Sequence, residues 1–383
     1  MKKIVVFCLF LMSMCFIPFN VHAQELLENA VSGMLIEAST GKVIYEKNIN
    51  EKVAVASMTK MVAQIIIMEE IEKGTIKWDD IVTVSKNAAD MGGSQIYLAE
   101  GEKMSIRDLM KGISVASGND ATVAMAEVIS GSEEKFVERM NKKVKELGLK
   151  NTQFKNCTGL DEDGHYSTAY DMAVIAKELV NKHPGILKFS SIYEDYLREN
   201  TNNKFWLVNT NKLIRFYDGA DGLKTGHTDD AGYCLAVTAK KYGLRLIGIV
   251  LGEKESKVRN NEAMKLLDYG FNNVRLNLLK DKNEVVDEIK MDKANKDKIK
   301  IVLKDELFVV EDVGSDNKDY SYEVELNNFK LPVKLGDVVG KIYVKDGNKK
   351  LSSADLTVSE DIKPLSFIEL LLYTFKTIVN GNI

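Results

Sequence analysis

The tripeptide Lys224-Thr225-Gly226, followed at once by His227, comes third in an ordered set with Ser57-Met58-Thr59-Lys60 and Ser117-Gly118-Asn119. These types supply what acyl transfer through a serine ester needs: a nucleophile, a base, a proton relay and a cation for a substrate carboxylate. Serine is a poor nucleophile at neutral pH and needs a neighbouring base. Ser57 and Lys60 are three apart at the start of an expected helix, so they share a face. Burial or a nearby cation can keep the lysine amine neutral. The helix start also offers backbone N–H donors to an oxyanion. Lys224 offers a fixed cation, Thr225 a hydroxyl beside it, and Gly226 a close backbone approach to a ligand.

Single motifs are weak evidence. The spacing S-x-x-K begins at Ser39, Ser57, Ser132 and Ser315, and only Ser57 opens a long apolar helix pattern. Ser39 falls in a hairpin turn and Ser132 at a polar helix start. Ser315-Asp316-Asn317-Lys318 matches two patterns at once, yet one serine cannot fill both roles, and no K-T-G follows it. Ser117-Gly118-Asn119 alone reads as a helix cap, and K-T-G alone as a turn into a strand. The ordered trio is far more specific than any member.

These residues must be held by a substantial fold. The 383 residues suffice for two domains, and a net charge of -4 speaks against a nucleic-acid binder. Lys2 and Lys3, the apolar stretch 4–19 and the small-residue site Val21-His22-Ala23 predict a signal peptide over 1–23 and export. Pro18 interrupts an apolar run already short for a membrane span. Met14 is too large for a lipoprotein site at Cys15. Cys157 and Cys234 remain in the mature chain and read as unpaired thiols. His165, His183 and His227 are scattered, without metal spacing, and no metal or cofactor is expected. His165 and His183 read as surface or packing residues.

Residues 33–48 read as a hairpin and Ser57 to about Lys73 as a helix stopped by Gly74. A helix-rich middle follows, with helical patterns at 107–115, 120–129 and 171–180. Strands return at 233–239 and 244–251, joined by a turn over 240–243, and 262–271 closes as a helix. This order implies an α+β fold, an antiparallel sheet with helices packed on it. From 276 to 362 the pattern alternates and predicts a small all-β domain, with strands at 298–303, 307–310, 320–326 and 338–344. Pro364 opens a last helix over 365–380. Its apolar load and terminal place predict an amphipathic helix lying in a membrane interface, an anchor over 363–383. Docking on the protein's own surface is the competing reading.

The three motifs resemble those of the penicillin-binding proteins and serine β-lactamases. Ser-Gly-Asn in the second motif, His227 to Gly232 after the third, and the strings 156–160 and 167–173 resemble the low-molecular-weight D-alanyl-D-alanine carboxypeptidases. The resemblance covers nearly the whole chain and implies a β-lactamase/transpeptidase-like catalytic domain over 24–275. It implies that Ser57 attacks the peptide bond between two terminal D-alanines and that Lys60 takes its proton. Ser117 then relays a proton to the leaving amine, and Asn119 positions Lys60 and the substrate amide. Lys224 and Thr225 hold the terminal carboxylate, beside Gly226. Backbone N–H groups of Ser57 and His227 form the oxyanion hole. Water then releases the shortened stem peptide. Implied partners are peptidoglycan stem peptides ending in D-Ala-D-Ala, β-lactams as inhibitors, and the outer face of the cytoplasmic membrane. His227 tunes deacylation or packs at a strand end; the sequence leaves both open.

Three rivals follow from the same fold. A D,D-transpeptidase or endopeptidase passes the acyl group to, or takes it from, another partner. A class A β-lactamase needs a glutamate in an E-x-x-L-N string between the second and third motifs. The one such string, Glu323 to Asn327, lies beyond the third. A non-catalytic wall-binding protein would have no need of an intact nucleophile and base.

Overall fold

The structure, a computed structural model, describes residues 25–315 and 318–379. The expected signal peptide, the Asp316-Asn317 pair and the last four residues of the expected anchor lie outside the described residues.

The chain opens with the hairpin β1 (Ser32–Glu37) and β2 (Val43–Lys47). A 3-10 turn, Ala56–Thr59, leads into α1 (Lys60–Glu72). Residues 60 to 68 of α1 are all buried. A helix apolar all round belongs in the middle of a core. The strands β3 (Ile81–Thr83) and β4 (Lys103–Ser105) form a small ribbon around α2 (Lys86–Ala89). Helices α3 (Ile106–Lys111), α4 (Asn119–Ser130), α5 (Glu133–Glu146) and α6 (Ala169–Lys182) make the helical layer. Ser105, Ser132 and Thr168 cap α3, α5 and α6 by accepting from backbone N–H groups three residues on. Each such cap is worth about 1 kcal/mol. After the short α7 (Leu187–Ser190) come the hairpin β5 (Glu194–Leu197) and β6 (Phe205–Val208), then α8 (Leu213–Phe216).

Three long strands complete the sheet: β7 (Ala220–Thr228), β8 (Gly232–Lys241) and β9 (Leu244–Glu253). Its order is β2-β1-β9-β8-β7, antiparallel throughout. The turn between β8 and β9 is two residues long, Tyr242 and Gly243, both at positive φ (52° and 81°). That geometry matches the right-handed twist of the strands it joins. The long helix α9 (Ser256–Asn273) covers one face, with Ala263, Leu266 and Leu267 against Leu35, Leu235, Leu246 and Val250. The other face, through Met34, Ile36, Ala236, Ile247 and Ile249, joins the core of α1 and the helical layer. Period-two alternation explains how one strand serves both. The α+β architecture expected from the order of elements is thus observed.

Strand β10 (Val274–Lys280) follows α9 directly, so the expected boundary at 275/276 falls inside a strand. It pairs with β13 (Leu307–Asp312), and Val274, Leu276 and Val310 join the cluster under α9. The remaining strands are β11 (Val285–Lys290), β12 (Lys298–Leu303), β14 (Ser321–Leu326), β15 (Gly340–Asp346) and β16 (Lys349–Val358). They form an antiparallel sheet ordered β11-β12-β16-β15-β14. Its own core contains Ile299, Ile301, Leu303, Ile342, Val344, Leu356 and Val358. Lys42 links the two parts, its Nζ 2.7 Å from Asp312 Oδ1.

Helix α10 (Phe367–Val379) ends the described chain. Ser366 and Glu369 form a reciprocal cap at its start: Ser366 N donates to Glu369 Oε2 at 2.8 Å and Glu369 N to Ser366 Oγ at 3.4 Å. Phe367 is 81% exposed and Phe375 68%; Ile368, Leu371, Leu372 and Ile378 are exposed with them. The apolar stripe therefore does not dock on this protein's own surface.

Candidate active site

The sheet is open at β7, and the K-T-G residues lie on that edge strand, facing the 3-10 turn that carries Ser57. Ala56, just before Ser57, has φ 47°, and Ser117 has φ 64°. Non-glycine residues in this region cost about 1–3 kcal/mol each and persist only where the surroundings hold them. Gly226 packs flat on the turn: a Cβ there would lie 2.6 Å from Val55 O. Gly159 closes the other side, where a Cβ would lie 1.9 Å from Ala56 O. Side chains at these two sites would push the turn that carries Ser57 out of place.

Lys60 is fully buried. Its Nζ lies 2.8 Å from Ser57 Oγ, 2.6 Å from Asn119 Oδ1 and 2.6 Å from the Thr158 carbonyl. Burial lowers its pKa to about 7, against the opposing pull of Cys157 and Asp120. A neutral amine keeps two N–H donors and gains a lone pair. Asn119 Oδ1 and the Thr158 carbonyl can only accept, so the lone pair is left for the Ser57 hydroxyl. Asn119 is fixed in turn: its Nδ2 donates to Gly92 O at 2.7 Å and its backbone N–H to Ser94 O at 2.7 Å. The buried Asp120 carboxylate accepts from Ile96 N and Leu98 N and holds that loop.

Ser117 does not cap α4, whose N-cap residue is Gly118 without a side-chain bond. The Ser117 hydroxyl instead accepts from Lys224 Nζ at 2.8 Å. Lys224, 1% exposed, also donates to Thr225 O at 3.0 Å. Burial, then the charges of Lys60 and Arg259, push its pKa well below the usual lysine range. An arriving carboxylate would restore the charged form. Arg259, 4% exposed, is therefore a second cation near Lys224; its Nη1 donates to Cys234 O at 3.3 Å. Thr225 Oγ1 donates to Thr210 Oγ1 at 2.7 Å. His227 is exposed at the strand end and stacks on Tyr233 at 4.0 Å.

Ser57, Asn119, Gly159, Leu160, His227 and Thr228 line a cleft of about 320 Å³. Of the eight residues singled out in the sequence, Ser57, Asn119 and His227 line this cleft, Lys60 bonds Ser57 and Asn119 from behind it, and Ser117 with Lys224, Thr225 and Gly226 lies at the adjoining strand. The other S-x-x-K serines serve the backbone: Ser39 Oγ bonds Glu37, Ser132 caps α5, and Ser315 Oγ bonds Asp312 O. Glu323 of the E-x-x-L-N string sits in β14, paired with Lys345 and Lys350.

Several neighbours carried no signal of their own in the sequence. Thr158 contributes only a carbonyl, Thr210 belongs to no motif, and Arg259 is one arginine in a helix. His165 is buried rather than on the surface. It accepts from Lys155 N at Nδ1 (3.2 Å), so Nε2 carries the proton and donates to Thr59 Oγ1 at 2.8 Å. Burial lowers its pKa to about 4. His183 is buried against Glu72. Cys157 and Cys234 are both free and buried.

A serine–lysine pair on a helix behind an edge strand bearing K-T-G defines the serine acyl-transfer enzymes of the penicillin-recognising fold. Residues 19–255 match the D-alanyl-D-alanine carboxypeptidase family, and residues 275–364 match the C-terminal domain of penicillin-binding protein 5. The chain belongs to that carboxypeptidase family. It is 49% identical to the D-alanyl-D-alanine carboxypeptidase DacF of Bacillus subtilis over 354 residues, 92% of this chain and 91% of that one. Among solved structures it resembles penicillin-binding protein 5 of Haemophilus influenzae, with a TM-score of 0.69 and 32% identity over 88% of this chain and 98% of that one. It also resembles the ampicillin-bound penicillin-binding protein D2 of Listeria monocytogenes, with a TM-score of 0.57 and 30% identity over 63% of this chain and 97% of that one.

Proposed function

We propose that this D-alanyl-D-alanine carboxypeptidase works through a Ser57 acyl-enzyme, with Lys60 as its base. The observation that carries the reading is the Lys60 amine, buried, with its pKa lowered to about 7 and 2.8 Å from Ser57 Oγ. Lys60 takes the hydroxyl proton as Ser57 attacks the carbonyl between the two terminal D-alanines. The backbone N–H groups of Ser57 and His227 receive the developing oxyanion. Lys224 and Thr225, on the strand edge opened by Gly226, hold the terminal carboxylate. Ser117, bonded to Lys224, relays to the departing amine the proton that Lys60 took, which returns Lys60 to its neutral form. Asn119 holds Lys60 through Oδ1, and the second hydrogen of its Nδ2 is left for the substrate amide. Water then cleaves the ester with Lys60 again as base, and D-alanine leaves with a shortened stem peptide. β-Lactams present a carboxylate and an acylating carbonyl to the same groups and acylate Ser57.

Peptidoglycan lies outside the cytoplasm, so the enzyme acts there. Among the described residues no helix is long and apolar enough to cross a membrane. The exposed apolar stripe of α10 supports an interfacial attachment at the outer face of the cytoplasmic membrane. Residues 1–23 would serve as the export signal, 24–275 as catalytic unit and 276–362 as spacer.

The test is free D-alanine released from a soluble acyl-D-Ala-D-Ala peptide, beside Ser57→Ala. Release should fall at least about 10³-fold in the mutant, the scale of losing a covalent nucleophile. A mutant that still releases D-alanine at the parent rate would remove Ser57 from the mechanism.

A further inference from the structure

Thr210 lies between two residues that clamp its segment into the core. Asn209 Nδ2 donates to Ser190 O at 3.0 Å and Ile192 O at 2.8 Å, and Asn211 Nδ2 to Gly222 O at 2.9 Å. Asn209 Oδ1 accepts from Asn211 N, and Asn211 Oδ1 from Leu213 N. Both asparagines are 1% exposed. The residue between them reaches the same strand beside the K-T-G residues themselves. Its backbone N–H donates to Val115 O at 3.1 Å, two residues before Ser117. Its hydroxyl meets Thr225 Oγ1 at 2.7 Å. Thr210 therefore touches the Ser117 element through its backbone and the K-T-G strand through its side chain.

The hydroxyl pair has a polarity. Each O–H carries one proton and can rotate. With Thr225 donating to Thr210, Thr225 has only lone pairs left for a ligand. A carboxylate also offers only lone pairs. To bind it, Thr225 must turn its proton outward, and the Thr225–Thr210 bond must then be donated by Thr210. A side chain without a hydroxyl cannot make that exchange.

We propose that Thr210 is a positioning residue of the carboxylate subsite, whose hydroxyl holds Thr225 and supplies the O–H that frees the Thr225 proton for the substrate's terminal carboxylate. This rests on the assignment of Thr225 to that carboxylate. Chained hydrogen bonds polarise one another, so the Thr225 donor is also strengthened.

The experiment compares kcat/KM on an acyl-D-Ala-D-Ala peptide and on its C-terminal amide, with active sites counted by penicillin titration. Thr210→Val is isosteric and keeps the backbone bond to Val115. It should lower the preference for the free carboxylate about tenfold, the scale of one hydrogen bond. Thr210→Ser should restore that preference to within about threefold of the parent, since it keeps the hydroxyl. Adding Thr210→Val to Thr225→Val should cost nothing more, because the two act as a unit. If Thr225→Val lowers the preference and Thr210→Val does not, the proposal fails and the Thr225 assignment stands. If Thr225→Val leaves the preference intact, both fail. A Thr210→Ser enzyme as impaired as Thr210→Val would also overturn the proposal, because packing and not the hydroxyl would then be at work.

Discussion

At the scale of single residues, the site depends on charge removed from water. Lys60 and Lys224 are both buried, and the charge of Lys60 adds to burial in lowering the tendency of Lys224 to hold a proton. This gives a pH signature. Lys60 must be neutral to act as base, and its pKa lies at about 7. The free-enzyme kcat/KM should therefore fall as pH drops through about 7, approaching tenfold per unit below it. Measured from pH 5 to 9 on the soluble peptide, a flat profile between 6 and 8 would argue against Lys60 as the base. His165 titrates lower, at about 4, so it stays neutral across that range and its bond to Thr59 persists.

At the scale of elements, the end of β9 carries a strained carboxyl pair. Glu253 is wholly buried and faces the Glu262 carboxyl, with the Lys254 backbone N–H as a weak counterweight. Glu262 takes the available donors, Asn29 N, Asn29 Nδ2 and Ala30 N, and so ties the N-terminal segment to α9. Burial, then the Glu262 carboxylate, raises the Glu253 pKa to about 8. The folded state thus binds a proton more tightly than the unfolded chain. This stabilisation is full below the ordinary glutamate range and is lost as pH rises through about 8. Glu253→Gln should remove that slope and raise Tm at pH 8.5 by about 2–4 °C, the effect of about 1 kcal/mol in a domain of this size. Equal pH dependence of Tm in mutant and parent would show that Glu253 does not hold its proton more tightly in the folded state.

At the scale of the whole molecule, an exposed apolar helix stands beyond a separate β-sheet core. Phe367 and Phe375 lie two turns apart on the bare stripe of α10. Replacing both with serine should release the protein from anionic lipid vesicles, with a loss in partition of at least about tenfold, since burying each ring is worth about 1.5–3 kcal/mol. D-alanine release from a soluble peptide should be unchanged, because the helix lies far along the chain from the catalytic sheet. Vesicle binding that survives the double substitution would end the interfacial reading.

Period and punctuation made the main elements legible in advance. Apolar runs flanking turns located β1, β2, β8 and β9, alternation located β12, β13, β14 and β15, and the apolar run after Ser57 located α1. Short strands such as β3 to β6 were not foreseen, because three or four residues carry too little pattern. Strand β10 was missed although Val274, Leu276 and Leu278 alternate, because a domain boundary was placed inside it, and β11 and β16 were missed where paired charges at 287–288 and 349–350 obscure the pattern. The order and types of Ser57, Lys60, Ser117, Asn119, Lys224 and Thr225 were legible because the proposed acyl transfer needs a nucleophile, a base and a cation. What only the tertiary structure decided is how that chemistry is tuned. A backbone carbonyl at Thr158 has no residue signature, and neither does the burial of Lys60 that lowers its pKa. Thr210 and Arg259 reach the site through contacts 15 and 25 residues away in the chain, and His165 through one of 106. Such contacts exist only once the sheet edge, the helical layer and the loops have closed on one another.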